Sequence, residues 1–298
     1  MSKYQNITLA DGRNLSYVEF GRTDGVPVIY FHGCPSSFIE PLLIGNEIFI
    51  NHNLRIISPN RPGIGKSDYL ENRGFTDWAK DVIFLANYLG LEKFALLGNS
   101  GGGGYVAACA AKIPERLTSA VIVSGAWQMN LPEARKYLRV PYSIFWKIAR
   151  KASFLLPFLF KSMKNSFSKS REKSLAQSKN MMPAPDFEAL KKNDRLDILS
   201  KTINEAISNT KGAACDVRLY VHEWDFRLSD ILFPITLFHG EQDRNVPMAL
   251  VMKMVSQLPN ASLICYENEA HLSTLCNRFD DIAVALVDKK VKEQALSL

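Results

Sequence analysis

The feature that most constrains this chain is a five-residue string, Gly98-Asn99-Ser100-Gly101-Gly102. It lies between an apolar run, Phe94–Leu97, and a helix-like segment, Tyr105–Lys112. A serine framed by glycines in that context predicts a strand, a sharp turn and a helix. The turn is strained and leaves no room for side chains beside the serine, which accounts for the glycines. It lifts the Ser100 hydroxyl to the C-terminal edge of a sheet. The N–H of Gly101 then points at the reacting oxygen, assisted by the helix N-terminus. Taken alone, the string also fits a glycine-rich loop that merely turns the chain, so its partners must decide.

The surrounding pattern supplies the sheet. Ile7 and Leu9 lead into Asp11-Gly12, a favoured hairpin turn, and Leu15, Tyr17 and Phe20 follow with near-alternating spacing. Short apolar runs bounded by Gly, Pro or Asn come next at Val28–Phe31, Arg55–Ser58, Phe94–Leu97 and Ala120–Val123. Two more follow late, at Ile235–Phe238 and Ser262–Tyr266. Such runs suit strands buried on both faces of a parallel sheet. Asp77–Leu89 reads as an amphipathic helix with Trp78, Val82, Leu85 and Leu89 inward, Asp81 and Asn87 outward, and Gly90 as its stop. Strand–helix alternation after a hairpin predicts an α/β fold with a mostly parallel, doubly wound sheet.

A nucleophilic serine needs a general base and a group to orient that base. For an elbow of this kind the chain order is serine, acid, histidine. His271 is the only histidine after the last predicted strand, and Asp243 lies five residues past Ile235–Phe238. Both follow C-terminal strand ends, where open α/β sheets place their sites. Each also has an ordinary reading, a loop histidine and a turn aspartate, but their joint placement favours catalysis. An acid one strand earlier would fall in Val123-Ser124-Gly125-Ala126, which holds no carboxylate. The loop Phe31-His32-Gly33-Cys34-Pro35-Ser36-Ser37 should give the second oxyanion donor, assigned to the Cys34 N–H beside that of Gly101. His32 and His239 are read as packing and hydrogen-bonding residues, and His52 and His222 show no partner.

The alternation stops near Trp127 and resumes at Phe233. This predicts a core of residues 1–126 and 233–298 with a helical cap over 127–232. Tyr142, Phe145, Trp146 and Ala149 recur there at helical spacing. Arg135–Lys179 holds twelve Lys or Arg against one acid, a local charge of +11 that leaves −5 on the remainder of a chain with net charge +6. One reading is a lid whose apolar face lines an acyl pocket, with Phe145, Trp146, Phe154 and Phe158 as candidates. Its basic face would then meet anionic substrate or lipid headgroups. The plainer reading is a solvated charged face. No nucleic-acid module is present. Five cysteines without a close pair predict neither a disulfide framework nor a metal site. Met1–Gly12 is polar and unlike a signal peptide, and the apolar run Ala152–Phe160 is broken by Pro157 and too short to span a bilayer. The expected location is cytoplasmic.

With these segments in view, the chain resembles the α/β-hydrolase superfamily, and in particular its lid-bearing bacterial esterase-like members. The likeness rests on the His32-Gly33-Cys34-Pro35 loop, Arg61-Pro62-Gly63-Ile64-Gly65-Lys66-Ser67-Asp68, the turn around Ser100, the Asp243 loop and His271. It covers residues 1–126 and 233–298 and not the insertion. The resemblance implies an α/β-hydrolase fold, an acyl-enzyme at Ser100, water activated by His271, and no metal or organic cofactor. Epoxide hydrolases and haloalkane dehalogenases share the layout but use an aspartate nucleophile. Proline iminopeptidases usually read Gly-Gly-Ser-Trp-Gly at the turn, from which Asn99 and Gly101 depart. The expected activity is therefore hydrolysis of a carboxylic ester or thioester with a small to medium, largely apolar acyl group. Rivals are an amidase, aminopeptidase or carbon–carbon bond hydrolase with the same triad, or a small-molecule sensor acting through a protein partner.

Overall fold

The computed structural model describes residues 4–287 apart from 130, 139, 141, 168–178, 180 and 181. Arg139, Lys169, Arg171 and Lys173 of the basic segment lie outside the described residues. Eight strands form one sheet in the order β1-β2-β4-β3-β5-β6-β7-β8. The hairpin pairs β1 (Gln5–Thr8) with β2 (Asn14–Gly21), in register from Gln5 opposite Tyr17 to Thr8 opposite Asn14. β2 runs antiparallel to β4 (Leu54–Pro59). The pairings among β3 (Val26–Phe31), β4, β5 (Phe94–Asn99), β6 (Leu117–Val123), β7 (Ile235–Gly240) and β8 (Ala261–Tyr266) are all parallel.

The central strands are apolar throughout because both faces are covered. Ile29, Phe31, Leu96 and Ile122 point to one side, toward α2 (Asp77–Tyr88) and α3 (Gly103–Lys112). Val28, Tyr30, Leu97 and Val121 point to the other, toward α1 (Asn46–Asn51) and α12 (Phe279–Val287). That division follows the two-residue period of a strand. Rings lock each layer: Trp78 meets Phe31 edge-on at 5.8 Å, and Phe49 meets Phe279 at 5.3 Å.

One expectation changes. Asp81 of α2 is buried, not outward, because Arg13 from the hairpin turn reaches over the helix and binds both carboxylate oxygens at 3.0 and 2.7 Å. A two-pronged charged pair of this kind lets a carboxylate sit inside.

β4 lies on one side of β3 and β5 on the other. The chain therefore reverses its winding direction at β3, and the loops leaving β3 and β5 diverge at their C-terminal ends. That divergence leaves a crevice, the place where open α/β sheets carry their sites.

Between β6 and β7 the described residues form helices and no strand. They are α4 (Pro132–Tyr137), α5 (Tyr142–Lys151), α6 (Leu156–Phe167), α7 (Ala184–Lys191), α8 (Arg195–Ala206) and α9 (Thr210–Val221). The chain returns through β7, α10 (Met248–Val255), β8 and α11 (His271–Asn277). Phe145 packs on Phe160 at 6.4 Å and Trp146 on Tyr220 at 6.4 Å, which ties α5 and α6 to α9. α9 itself meets the loop after β4 backbone to backbone. A Cβ on Gly212 would lie 2.3 Å from the carbonyl of Gly63, so only glycine fits there. Among the described residues, no helix is long and apolar enough to cross a membrane.

Candidate active site

Ser100 sits directly after β5 with φ +49°, a left-handed backbone that few side chains adopt. The neighbouring glycines explain why the chain can turn there. A Cβ on Gly98 would meet Val106 at 2.6 Å, and one on Gly102 would meet the Phe31 carbonyl at 2.1 Å. The strain holds the half-buried Ser100 hydroxyl above the crevice.

The structure brings the three residues expected to act together into one hydrogen-bonded line. His271, the first residue of α11, stands with Nε2 2.9 Å from Ser100 Oγ and Nδ1 2.7 Å from Asp243 Oδ2. Asp243 is fixed in the loop after β7 by its other oxygen, which accepts the N–H groups of Asn245 and Val246 at 2.7 and 2.9 Å. Burial alone would raise the Asp243 carboxyl, but the adjacent His271, then His239 and the Val246 N–H, hold it below its ordinary value. Burial likewise disfavours a charged His271. Asp243 outweighs it by charge and hydrogen bond, with further help from Asp186 and Glu40, so the imidazole is raised above its ordinary value.

The two residues whose N–H groups are assigned to the oxyanion, Cys34 and Gly101, lie against each other. A Cβ on Gly101 would lie 2.9 Å from the Cys34 nitrogen. Their setting is rigid. Glu40 is buried and accepts Gly33 N–H at 2.5 Å, the Ser36 hydroxyl at 2.9 Å and the Asn99 amide. Arg61 donates to the carbonyls of His32 and Gly33 at 2.5 and 2.7 Å and to Asp216 at 2.8 Å. Asp216 also binds Arg73 and accepts the Tyr105 hydroxyl at 2.7 Å.

None of the other described histidines bonds to Ser100, although His239 Nε2 lies 3.7 Å from Asp243 Oδ2. His32 Nδ1 faces the Gly33 carbonyl at 2.9 Å, so it carries the proton, and Nε2 accepts the Arg61 N–H. Burial and Arg61 keep this ring well below its ordinary value and therefore neutral. His239 is lowered by burial and donates to the Val246 carbonyl at 2.9 Å. His52, read as unpartnered, pairs with Asp280 at 2.7 Å on the surface. The cysteines are free thiols; Cys109, Cys215 and Cys276 are buried, Cys34 is partly so and Cys265 is exposed. Among the described residues no cluster is suited to a metal ion.

Several site residues escaped the sequence. The Ser124 hydroxyl, just past the end of β6 where the sequence holds no carboxylate, donates to the His271 carbonyl at 2.9 Å. The insertion is hydrogen-bonded to the turn at Ser100, to the loop after β3 and to the start of α11. Tyr220 of α9 donates to the Gly101 carbonyl at 2.9 Å and accepts Gly104 N–H at 3.1 Å. Thr202 of α8 accepts Ser37 N–H at 2.9 Å. Asp186 of α7 accepts the Leu272 and Ser273 N–H groups beside His271. A cleft of about 380 Å³ opens between Tyr137 and Pro183 of the insertion and Asp243, Arg244 and Met248 of the core. Phe145 and Trp146 face the core cluster. Phe154 and Phe158 do not; they are 72 % and 70 % exposed, and Lys161 nearby is exposed as well.

Comparison with known proteins agrees with this architecture. The profile of the alpha/beta hydrolase fold matches residues 26–275. The chain is 26% identical over 275 residues to a non-heme chloroperoxidase from Streptomyces lividans, covering 89% of this chain and 92% of that one. A bifunctional esterase/perhydrolase from Acinetobacter calcoaceticus is 25% identical over 273 residues, with the same coverage. A thermophilic esterase from Thermogutta terrifontis superposes with TM-score 0.66 over 99% of both chains at 19% identity.

Proposed function

The chain belongs to the alpha/beta hydrolase fold family, and from that premise we propose that it is a serine hydrolase cleaving carboxylic esters or thioesters of small to medium, largely apolar acyl groups. The observation that carries the reading is the unbroken line Ser100 Oγ, His271 Nε2, His271 Nδ1, Asp243 Oδ2, with links of 2.9 and 2.7 Å. In this reading His271 takes the Ser100 proton as Oγ attacks the acyl carbon. Asp243 fixes the tautomer that leaves Nε2 free to accept, and it stabilises the imidazolium that forms. Negative charge then gathers on the carbonyl oxygen, which the Cys34 and Gly101 N–H groups receive. Collapse releases the alcohol or thiol with the proton from His271. Water, activated by the same ring, resolves the acyl-enzyme.

Preference for an ester draws on two supports. One curated relative carries an esterase in its name. The partly buried aromatic residues Phe145 and Trp146 on the insertion suit an acyl chain better than a peptide. The test is turnover of purified protein on matched ester, thioester and anilide substrates of one acyl group. Many turnovers per site on the ester, lost in Ser100→Ala, support the reading. A faster anilide, or stalling near one turnover, overturns it in favour of an amidase or a sensor.

A further inference from the structure

Helix α11 begins at His271 and is seven residues long, too short to fix its own axis. Side chains of the insertion hold both of its ends. Asp186 of α7, 3 % exposed, accepts the N–H groups of Leu272 and Ser273 with one oxygen, each at 2.8 Å. Arg195, the first residue of α8 and 6 % exposed, donates to the Cys276 carbonyl at the other end at 3.3 Å. The same guanidinium binds the Leu43 and Ala189 carbonyls at 2.7 and 3.3 Å, so it cannot swing away alone. An anion at the N-terminus and a cation at the C-terminus match the helix dipole. Between them Ala189, Leu190 and Leu196 of the insertion pack with Leu43 and with Cys276 of α11 in a separate apolar cluster.

We propose that Asp186 and Arg195 are positioning residues for His271: the insertion grips α11 at both termini and thereby sets the ring between Ser100 and Asp243. This rests on the reading of His271 as the general base. A helix displaced by about 1 Å would lengthen both links of the line at once, and misplacements of that size cost on the order of a hundredfold in rate. Asp186 acts by charge as well as by position. The anions facing His271 are Asp243, Asp186 and Glu40, each of which favours the imidazolium, and His239 at the end of β7 is the further titratable group beside it.

Two substitutions separate the effects. Asp186→Asn keeps an oxygen that can accept both N–H groups but removes the charge, whereas Asp186→Ala removes both. On a chromogenic short-chain ester, Asp186→Ala should lower kcat roughly tenfold to a hundredfold with KM within about twofold. Asp186→Asn should keep most of the plateau kcat while the acid limb of the pH profile moves to lower pH, since His271 loses a neighbouring anion. Arg195→Met should lower kcat as Asp186→Ala does, and Arg195→Lys should restore part of it. A purely structural role would lower Tm without moving kcat at low temperature or the acid limb; that result overturns the inference. His271→Ala distinguishes the two levels. If it retains wild-type turnover, the base assignment falls and the inference with it. If it is inactive while the folded Asp186 variants match wild type, the inference alone fails. Should Asp186→Ala not fold, Asp186→Asn and Arg195→Lys still supply the pH and kcat readouts.

Discussion

Glu40 and Asn99 are joined by a buried hydrogen bond that spans from the loop after β3 to the residue preceding Ser100. Because the same carboxylate accepts Gly33 N–H, the two halves of the proposed oxyanion site share one fixed point. Burial raises the Glu40 carboxyl, and its three donors and Arg61 oppose that rise.

Glu40→Gln tests this link. Glutamine has one acceptor oxygen, so its amide must face a donor, either Asn99 or the Gly33 N–H. A loss of about tenfold to a hundredfold in kcat is expected, smaller than the 10²–10³ seen when an oxyanion donor is removed outright. Steady-state kinetics on an ester should show KM changing less than kcat.

An activated serine should react with a fluorophosphonate probe at one site. Peptide mapping should find the label on Ser100, and Ser100→Ala should abolish it and lower kcat by up to roughly 10⁶-fold. Labelling that persists in the variant would remove Ser100 as nucleophile.

Asp243→Asn should leave the fold intact and favour the wrong tautomer of His271, at a cost of about 10⁴-fold in kcat. In the wild type the His271 imidazole is raised. The acid limb of kcat/KM should therefore lie above the ordinary histidine value of about 6.5, with activity lost as pH falls through it. A limb at or below that value would show that the raising anions are ineffective.

Asp216→Asn addresses stability. Burial alone would raise this carboxyl, but Arg61 and Arg73 hold it far below the usual range. A depressed carboxylate contributes stability that is present above its unfolded value of about 3.9 and lost as pH falls toward the folded one. The variant leaves two guanidinium groups buried without their anion, so a loss of roughly 3–5 kcal/mol is expected at neutral pH. Denaturant unfolding should show that deficit shrinking below pH about 4.

Selectivity should depend on the inner face of the insertion. Trp146→Ala is expected to change chain-length preference, measured as kcat/KM from acetate to decanoate esters, by about tenfold. Phe158→Ala, on the exposed side, should leave the preference as it is. The reverse pattern would place the acyl chain along the outer face.

The core was legible because its chemistry is local. An elbow needs glycines at fixed offsets from Ser100, and parallel strands need unbroken apolar runs, so both are written in short windows. Asp243 and His271 could be found because strand ends predict where site residues emerge. Asp186, Asp216 and Tyr220 could not. Each acts on a loop more than eighty positions away in sequence, and nothing in its neighbours differs from an ordinary helix. Asp81 misled for the same reason, since its partner Arg13 lies on the hairpin. Residue type alone groups Phe154 and Phe158 with Phe145 and Trp146, whereas the structure puts the first two on an exposed turn and the next helix.

The contact of Gly212 with Gly63 bears on how such a molecule can be rebuilt. Any larger residue at 212 would push α9 away from the loop after β4, and Tyr220 and Asp216 would move with it. The stretch carrying α5 and α6 reaches the remainder through apolar side chains such as Trp146, Ala149 and Phe160. A chimera that borrows only that stretch from a relative should inherit new tastes and keep its pace. One that borrows α9 without its glycine should lose the pace as well.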